Sequence, residues 1–296
     1  MELLTGYFVF HWIAGWSNPV CDQLFRVVTD LGDHSVYFLV IAVLFWVVDR
    51  RRAAILFLLL LASGFSNTFI KLWVHTPRPD PGLVRILDMR PYEPLSGSFP
   101  SGHAQGALVF WGYLSLWMGQ AWFTLLAALM VSLVSFSRLY LGVHFPVDIL
   151  GGLSIGAIVL LFISPTLDRW SRSDFRTGFT GALAVVTAAL VAVLATGDLT
   201  LALASGSLVG FFVATVWLPQ VPVAFQGARQ SSVGATGGVL FTLVILPVAG
   251  LLPRTPLAVG AEVAVAWIVA LWLYPQLLHR VRFGRAVRTP GDARSN

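Results

Sequence analysis

The sequence predicts an all-α protein, a polytopic transmembrane helical bundle, on three observations. First, only 11% of its 296 residues are charged and 57% are hydrophobic, whereas a soluble domain carries about 25% charged residues. With a mean hydropathy of +0.79, too few polar groups exist to cover a soluble surface. Second, the apolar residues fall in continuous runs. Such runs favour helices over a barrel, whose strands alternate apolar and polar side chains. Third, arginines and lysines collect between the runs, as they do in membrane proteins of defined orientation.

The elements follow in order. The N-terminal stretch MELLTGYFVFHWIAGW opens on Glu2 and has no basic segment. It reads as a short first span or an interfacial helix rather than a cleaved signal peptide. Apolar runs then cover 36–49, 53–70, 102–118, 121–140, 148–163, 179–196, 200–218, 232–252 and 257–279. Several are shorter than the ~20 residues of a perpendicular span. The total expected is roughly nine or ten spans. Arg50, Arg51 and Arg52 cap the first firm span and are placed in the cytoplasm. Alternation puts Arg169, Arg172, Arg176, Arg229 and the tail cations from Arg280 to Arg288 on that side. It leaves Lys71, Arg78, Arg85, Arg90 and Arg138 outside, against the usual bias, so those residues need a reason.

The division expected is a membrane-embedded core over 1–165, a polar cytoplasmic loop over 166–178, further transmembrane helices over 179–280 and a basic cytoplasmic tail over 281–296. Cys21 is the single cysteine, which excludes an intrachain disulfide and a cysteine metal cluster. The net charge of +5 does not signal nucleic acid, since no basic run is interleaved with stacking aromatics. GGLSIG and GATGG are close-packing signals between helices; no nucleotide-binding loop is present.

Three short polar elements share the outer face. Lys71 and Arg78 come first, in a segment over 71–103 that prolines and glycines mark as a loop. Cations gathered at about 5 Å repel by roughly 3 kcal/mol per pair at an effective dielectric near 20, so a cluster calls for an anionic partner. Arginine suits phosphate through its planar fork. PSGH at 100–103 reads as a loop entering a helix. Ser101 takes the N-cap, Gly102 allows close approach to the backbone, and His103 stands in the first turn. Last comes SRLYLGVHFPVD at 137–148, with Ser137, Arg138, His144 and Asp148. His144 and Asp148 are spaced i,i+4 and share a face if a helix begins at Pro146. A carboxylate on one imidazole nitrogen fixes the tautomer and leaves the other nitrogen as a nucleophile. Taken singly, each cation also reads as an interfacial side chain, and each histidine as a solvated one.

Taken together, K-x6-R-P, P-S-G-H and S-R-x5-H-x3-D resemble the three-part signature of the phosphatidic acid phosphatase type 2 family. Every motif position is filled in order, and the resemblance covers about residues 30–165. It implies a six-helix phosphatase core, with the helices beyond it additional. It implies that His144 is the nucleophile and forms a phosphohistidine, that Asp148 orients it, and that His103 protonates the leaving oxygen and then helps activate water. Lys71, Arg78 and Arg138, helped by Ser101 and the Gly102 amide, would hold the phosphoryl oxygens. No metal and no cofactor is expected, because the cations fill the place that Mg²⁺ takes in other phosphoryl transfers.

The expected substrate is a lipid phosphate monoester or lipid pyrophosphate such as phosphatidate, phosphatidylglycerol phosphate, undecaprenyl pyrophosphate or a sphingoid-base phosphate. The expected location is the plasma or inner membrane, with the bilayer as partner and the site facing periplasm or exterior. Alternatives are a lipid phosphotransferase on the same site, a phosphatase of a soluble phosphomonoester, and a transporter. Asp33, His34 and His75 read as loop polarity near the site. Asn67 reads either as a hydrogen-bonding group near the site or as a link between neighbouring helices, and Glu262 as an intramembrane or interfacial carboxylate.

Overall fold

The computed structural model describes residues 6–88, 97–166, 199–213 and 255–269, and among these every regular element is helical. In chain order they are α1 (Tyr7–Ala14), α2 (Pro19–Asp30), α3 (His34–Val47), α4 (Arg50–Val74), α5 (Gly102–Met118), α6 (Ala121–Tyr140), α7 (Pro146–Ile158), α8 (Leu199–Phe212) and α9 (Pro256–Ile268). A short π-helical stretch, Val159–Ile163, extends α7. Among the described residues, three segments are long and apolar enough to cross a membrane: Arg50–Val74, Ala121–Tyr140 and Pro146–Thr166. The chain is an integral membrane protein.

Local sequence explains where the elements begin and end. The N-terminal stretch holds the eight-residue helix α1; beyond it the Asn18 side chain caps α2, accepting from the amides of Val20 and Cys21 at 3.0 Å each, with Pro19 at the first helical position. Helix α4 runs further than the prolines predict. Lys71 occupies its last turn rather than a loop, and His75 stops it in the left-handed conformation with φ 49°. Helix α7 begins at Pro146, as the position of that proline predicts. The expected runs at 179–196 and 232–252, GATGG, the 166–178 loop beyond its first residue and the basic tail lie outside the described residues.

The chain divides into two compact units. The first comprises residues 1–38 and 54–172, the second 39–53 and 173–296. In the first, α5 packs against α7 through glycines. A methyl group on Gly152 would meet the Ser101 carbonyl oxygen at 2.4 Å, and one on Gly156 the Gln105 carbonyl oxygen at 3.0 Å. Close backbone approach of this kind is how helices associate where apolar lipid supplies no hydrophobic drive. A buried cluster of Ile13, Phe25, Tyr140, Leu141 and Val143 supports the turn leading to His144. In the second unit α8 and α9 repeat the device. Methyl groups on Gly206 and Gly210 would run into the carbonyl oxygens of Gly260 and Ala264 at 2.0 and 2.3 Å. Phe211 there sits edge-on to both Phe45 and Trp267, at 6.0 Å each. Glu262 lies on α9 with a buried Oε1 that has no hydrogen-bond partner among the described residues.

Candidate active site

The site forms where the ends of α4, α6 and the starts of α5 and α7 meet. Lys71 Nζ donates to the Gly97 carbonyl at 2.6 Å. Arg78 Nη2 reaches the same oxygen at 3.4 Å, while its Nη1 donates to the Val143 carbonyl at 2.9 Å. The segment that returns to α5 is laced to the end of α4. Ser98 N donates to the Thr76 carbonyl, and Phe99 N to the Thr76 hydroxyl, both at 2.8 Å. Lys71, Arg78 and the PSGH turn are thereby tied into one frame, although they are up to 32 residues apart in sequence.

PSGH meets the third element directly. Ser101 N donates to the Asp148 carbonyl at 2.9 Å. Ser101 occupies the N-cap of α5, but its side chain makes no capping bond. Its hydroxyl is fully buried and has no partner among the described residues. A buried hydroxyl without a partner costs about 1–3 kcal/mol, so this one is free to serve an incoming acceptor. Gly102 rests on Asn67, whose Oδ1 lies 3.3 Å from the position a methyl would take. Asn67 donates to the Pro100 carbonyl at 3.2 Å and to Gln105 Oε1 at 2.9 Å. Gln105 in turn donates to the Ser63 carbonyl at 2.8 Å. Asn67 therefore pins the PSGH turn from below. Replacing Gly152 by alanine would drive a methyl into Ser101. We expect a loss of about 1–3 kcal/mol for such overpacking, visible as a lower thermal midpoint in detergent.

His144 is 3% exposed. Its Nδ1 lies 3.4 Å from Asp148 Oδ2, and its Nε2 lies 3.4 Å from Arg78 Nη1. The carboxylate partner assigns the ring proton to Nδ1 and leaves the Nε2 lone pair facing the arginine. Burial, and then the charges of Arg78, Arg138 and Lys71, hold the His144 pKa well below 6.5. The imidazole is thus kept neutral, the state a nucleophile needs. Asp148 is held more tightly by other groups. Ser98 Oγ donates to its Oδ2 at 2.5 Å and the Phe145 amide at 2.8 Å. Ser98 also lies 3.5 Å from His144 Nδ1.

Arg138 is 1% exposed. Its Nη1 donates to Thr29 Oγ1 at 2.6 Å and lies 3.4 Å from Asp88 Oδ2. Ser137 turns its hydroxyl to the Val134 carbonyl at 2.7 Å. His103 stands in the first turn of α5, its Cδ2 3.4 Å from the position of a methyl on Gly32, so the α2–α3 turn lies against it. Asp33 is in that same turn, and His34 opens α3. Ser98, Thr29 and Asp88 are the neighbours that sequence reasoning missed. No motif marks them, and their partners lie 50 to 109 residues away.

Fold and site together define a class: helical membrane proteins with a buried imidazole beside an arginine and within the field of two further cations. Comparison with known proteins agrees. The family model described as "PAP2 superfamily" matches residues 52–172. The chain is 32% identical over 140 residues to the decaprenylphosphoryl-5-phosphoribose phosphatase of Mycobacterium tuberculosis, covering 45% of this chain and 73% of that one. It is 31% identical over 172 residues to lipid phosphate phosphatase delta of Arabidopsis thaliana, 53% of this chain but only 41% of that one. It is 25% identical over 163 residues to phosphatidylglycerophosphatase B of Bacillus subtilis, 49% and 75% of the two chains. The chain belongs to the PAP2 superfamily.

Proposed function

We propose that the protein is a membrane phosphatase that hydrolyses a lipid phosphate monoester or lipid pyrophosphate through a phosphohistidine on His144, with the site on the outer face. The observation that carries this reading is the neutral, buried His144 set among Lys71, Arg78 and Arg138. His144 Nε2 attacks phosphorus, the N–P bond forms, and the P–O bond to the lipid breaks as His103 gives that oxygen a proton. Water, deprotonated by His103, then attacks the phosphohistidine and releases inorganic phosphate and free His144. Asp148 keeps the Nδ1 proton in place and favours the cation that develops on attack. Lys71, Arg78, Arg138, Ser101 and the Gly102 amide hold the phosphoryl oxygens, and this positioning and charge neutralisation is most of what phosphoryl transfer requires.

A lipid substrate is supported by the level of the site at the ends of membrane-length helices and by the relatives' names. Outward orientation is supported by Arg50, Arg51 and Arg52 in the first turn of α4, at the end opposite Lys71. The direct test is phosphate release from a panel of lipid phosphates, with chelator and with vanadate. We expect no loss with chelator and inhibition by vanadate. Transfer to a second lipid without free phosphate would favour the phosphotransferase reading.

The pH dependence follows from His144. Its folded pKa is depressed, so the site stays poised for attack as pH falls through 6.5. The acid limb of kcat/KM is expected well below that value, and the alkaline limb marks loss of the donor's proton. For stability the sign is the same. Below 6.5 the unfolded chain takes up a proton that the fold refuses, so this contribution is present above that pH and is lost as the pH falls. Thermal midpoints across pH in detergent check it.

A further inference from the structure

Helix α2 has three faces. At 100° per residue, Val20, Leu24, Val27 and Leu31 fall within about 60° of one another. They are 78, 54, 49 and 42% exposed. Phe25, Val28 and Thr29, in the next sector, are buried. Asp22, Gln23, Arg26 and Asp30 fill the remaining sector, and of these Gln23, Arg26 and Asp30 are exposed. A helix that only covered a soluble core would have two faces. An exposed apolar stripe between a docked face and a charged face is the pattern of a helix lying in the plane of a membrane surface.

The docked face fixes its level. Phe25 packs on Tyr140 at 4.3 Å between ring centres and on Phe136 at 5.4 Å. Tyr140 Oη donates to Asp22 at 2.8 Å, and Arg85 clamps the same carboxylate through both of its terminal nitrogens. Tyr140 is the last residue of α6, a helix of membrane-spanning length. Helix α2 therefore crosses α6 where hydrocarbon gives way to headgroups. The preceding segment adds Trp12 and Trp16, 61 and 37% exposed, the residue type that concentrates at that boundary.

We propose that α1 and α2 form an in-plane membrane anchor, with the Val20–Leu24–Val27–Leu31 stripe in the bilayer hydrocarbon and Gln23 and Arg26 in water. The occupant of the stripe is lipid. The anchor's docked face ends in Thr29, which holds the Arg138 guanidinium at 2.6 Å. The depth of the anchor thereby sets the cationic cup at the level of a lipid phosphate. This last link rests on the phosphatase reading; the anchor itself does not.

Depth is tested in full-length protein carrying Cys21→Ser, with a nitroxide on Leu24→Cys or on Gln23→Cys, in phosphatidylcholine–phosphatidylglycerol vesicles. Label at 24 is expected to collide with oxygen and not with an aqueous nickel chelate, and label at 23 the reverse. Equal nickel access at both positions would overturn the proposal. So would a label at 24 shielded from both reagents, which would mean that protein covers the stripe. The second measurement is kinetic. The double variant Leu24→Ser, Val27→Ser is expected to raise KM for a lipid phosphate in vesicles about tenfold. Its kcat/KM on p-nitrophenyl phosphate in detergent stays within about twofold. Parallel loss on both substrates would make α2 a structural prop and defeat the link. If the unaltered protein hydrolyses neither substrate, the phosphatase reading fails, and the nitroxide depths still decide the anchor.

Discussion

Replacing His144 by alanine is expected to abolish phosphate release while the protein still inserts and folds. The expected loss is at least about 10³-fold, because the variant removes the atom proposed to form the covalent bond. The buried side chain is not a major prop of the fold. Its contacts to Asp148 Oδ2, Arg78 Nη1 and Ser98 Oγ are all long, at 3.4, 3.4 and 3.5 Å, and Asp148 keeps its bonds from Ser98 and Phe145. Removing a depressed-pKa imidazole also removes its acid sensitivity, so the variant's thermal midpoint falls less steeply as the pH drops. Radiolabelled phosphate trapped on the unaltered protein by acid quench, and absent from the variant, reads the mechanism directly. Unchanged phosphate release in the variant would defeat the phosphohistidine mechanism on His144.

Arg138 gives the second large effect, and it separates stability from activity. Its guanidinium is buried with Asp88, 7% exposed. Cutting it to alanine removes one member of this buried ion pair, a change that costs about 3–5 kcal/mol. Arg138→Lys keeps the charge but loses the planar fork that can bond Thr29, Asp88 and a phosphoryl oxygen together. We expect lysine to restore most of the thermal midpoint yet leave activity down by about 10²-fold or more. Asp88→Asn keeps an acceptor for the arginine and should be milder than Arg138→Ala. Because the two residues touch, the double variant should cost less than the sum of the singles. Additive effects would show that Asp88 and Arg138 act independently.

Much of the fold was legible because membrane spans write themselves as unbroken apolar runs, and α6 matches its expected bounds of 121–140. The N-terminal stretch reads from sequence as either a short first span or an interfacial helix; its helix α1 has eight residues, well short of the ~20 of a perpendicular span. Pro77 and Pro79 place Lys71 in a loop when the sequence is read alone; the helix persists to Val74, and His75 ends it. The three polar elements were legible because each is a compact string of uncommon residues. Their partners were not. Thr29, Asp88 and Ser98 are ordinary polar residues whose meaning comes only from the tertiary contact each makes. Ser98 was the nearest to detection, two residues before Pro100, but nothing local says that its hydroxyl meets a carboxylate 50 positions later.

The carbonyl oxygen of Gly97 receives both Lys71 and Arg78. A main-chain dipole cannot diffuse away or take up a proton at ordinary pH. It therefore remains as a fixed counterweight when an anion arrives and again when one departs. Two like charges held side by side are thus never left facing only each other. In the proposed hydrolysis, that fixed oxygen would offset the cations' grip on the departing phosphate.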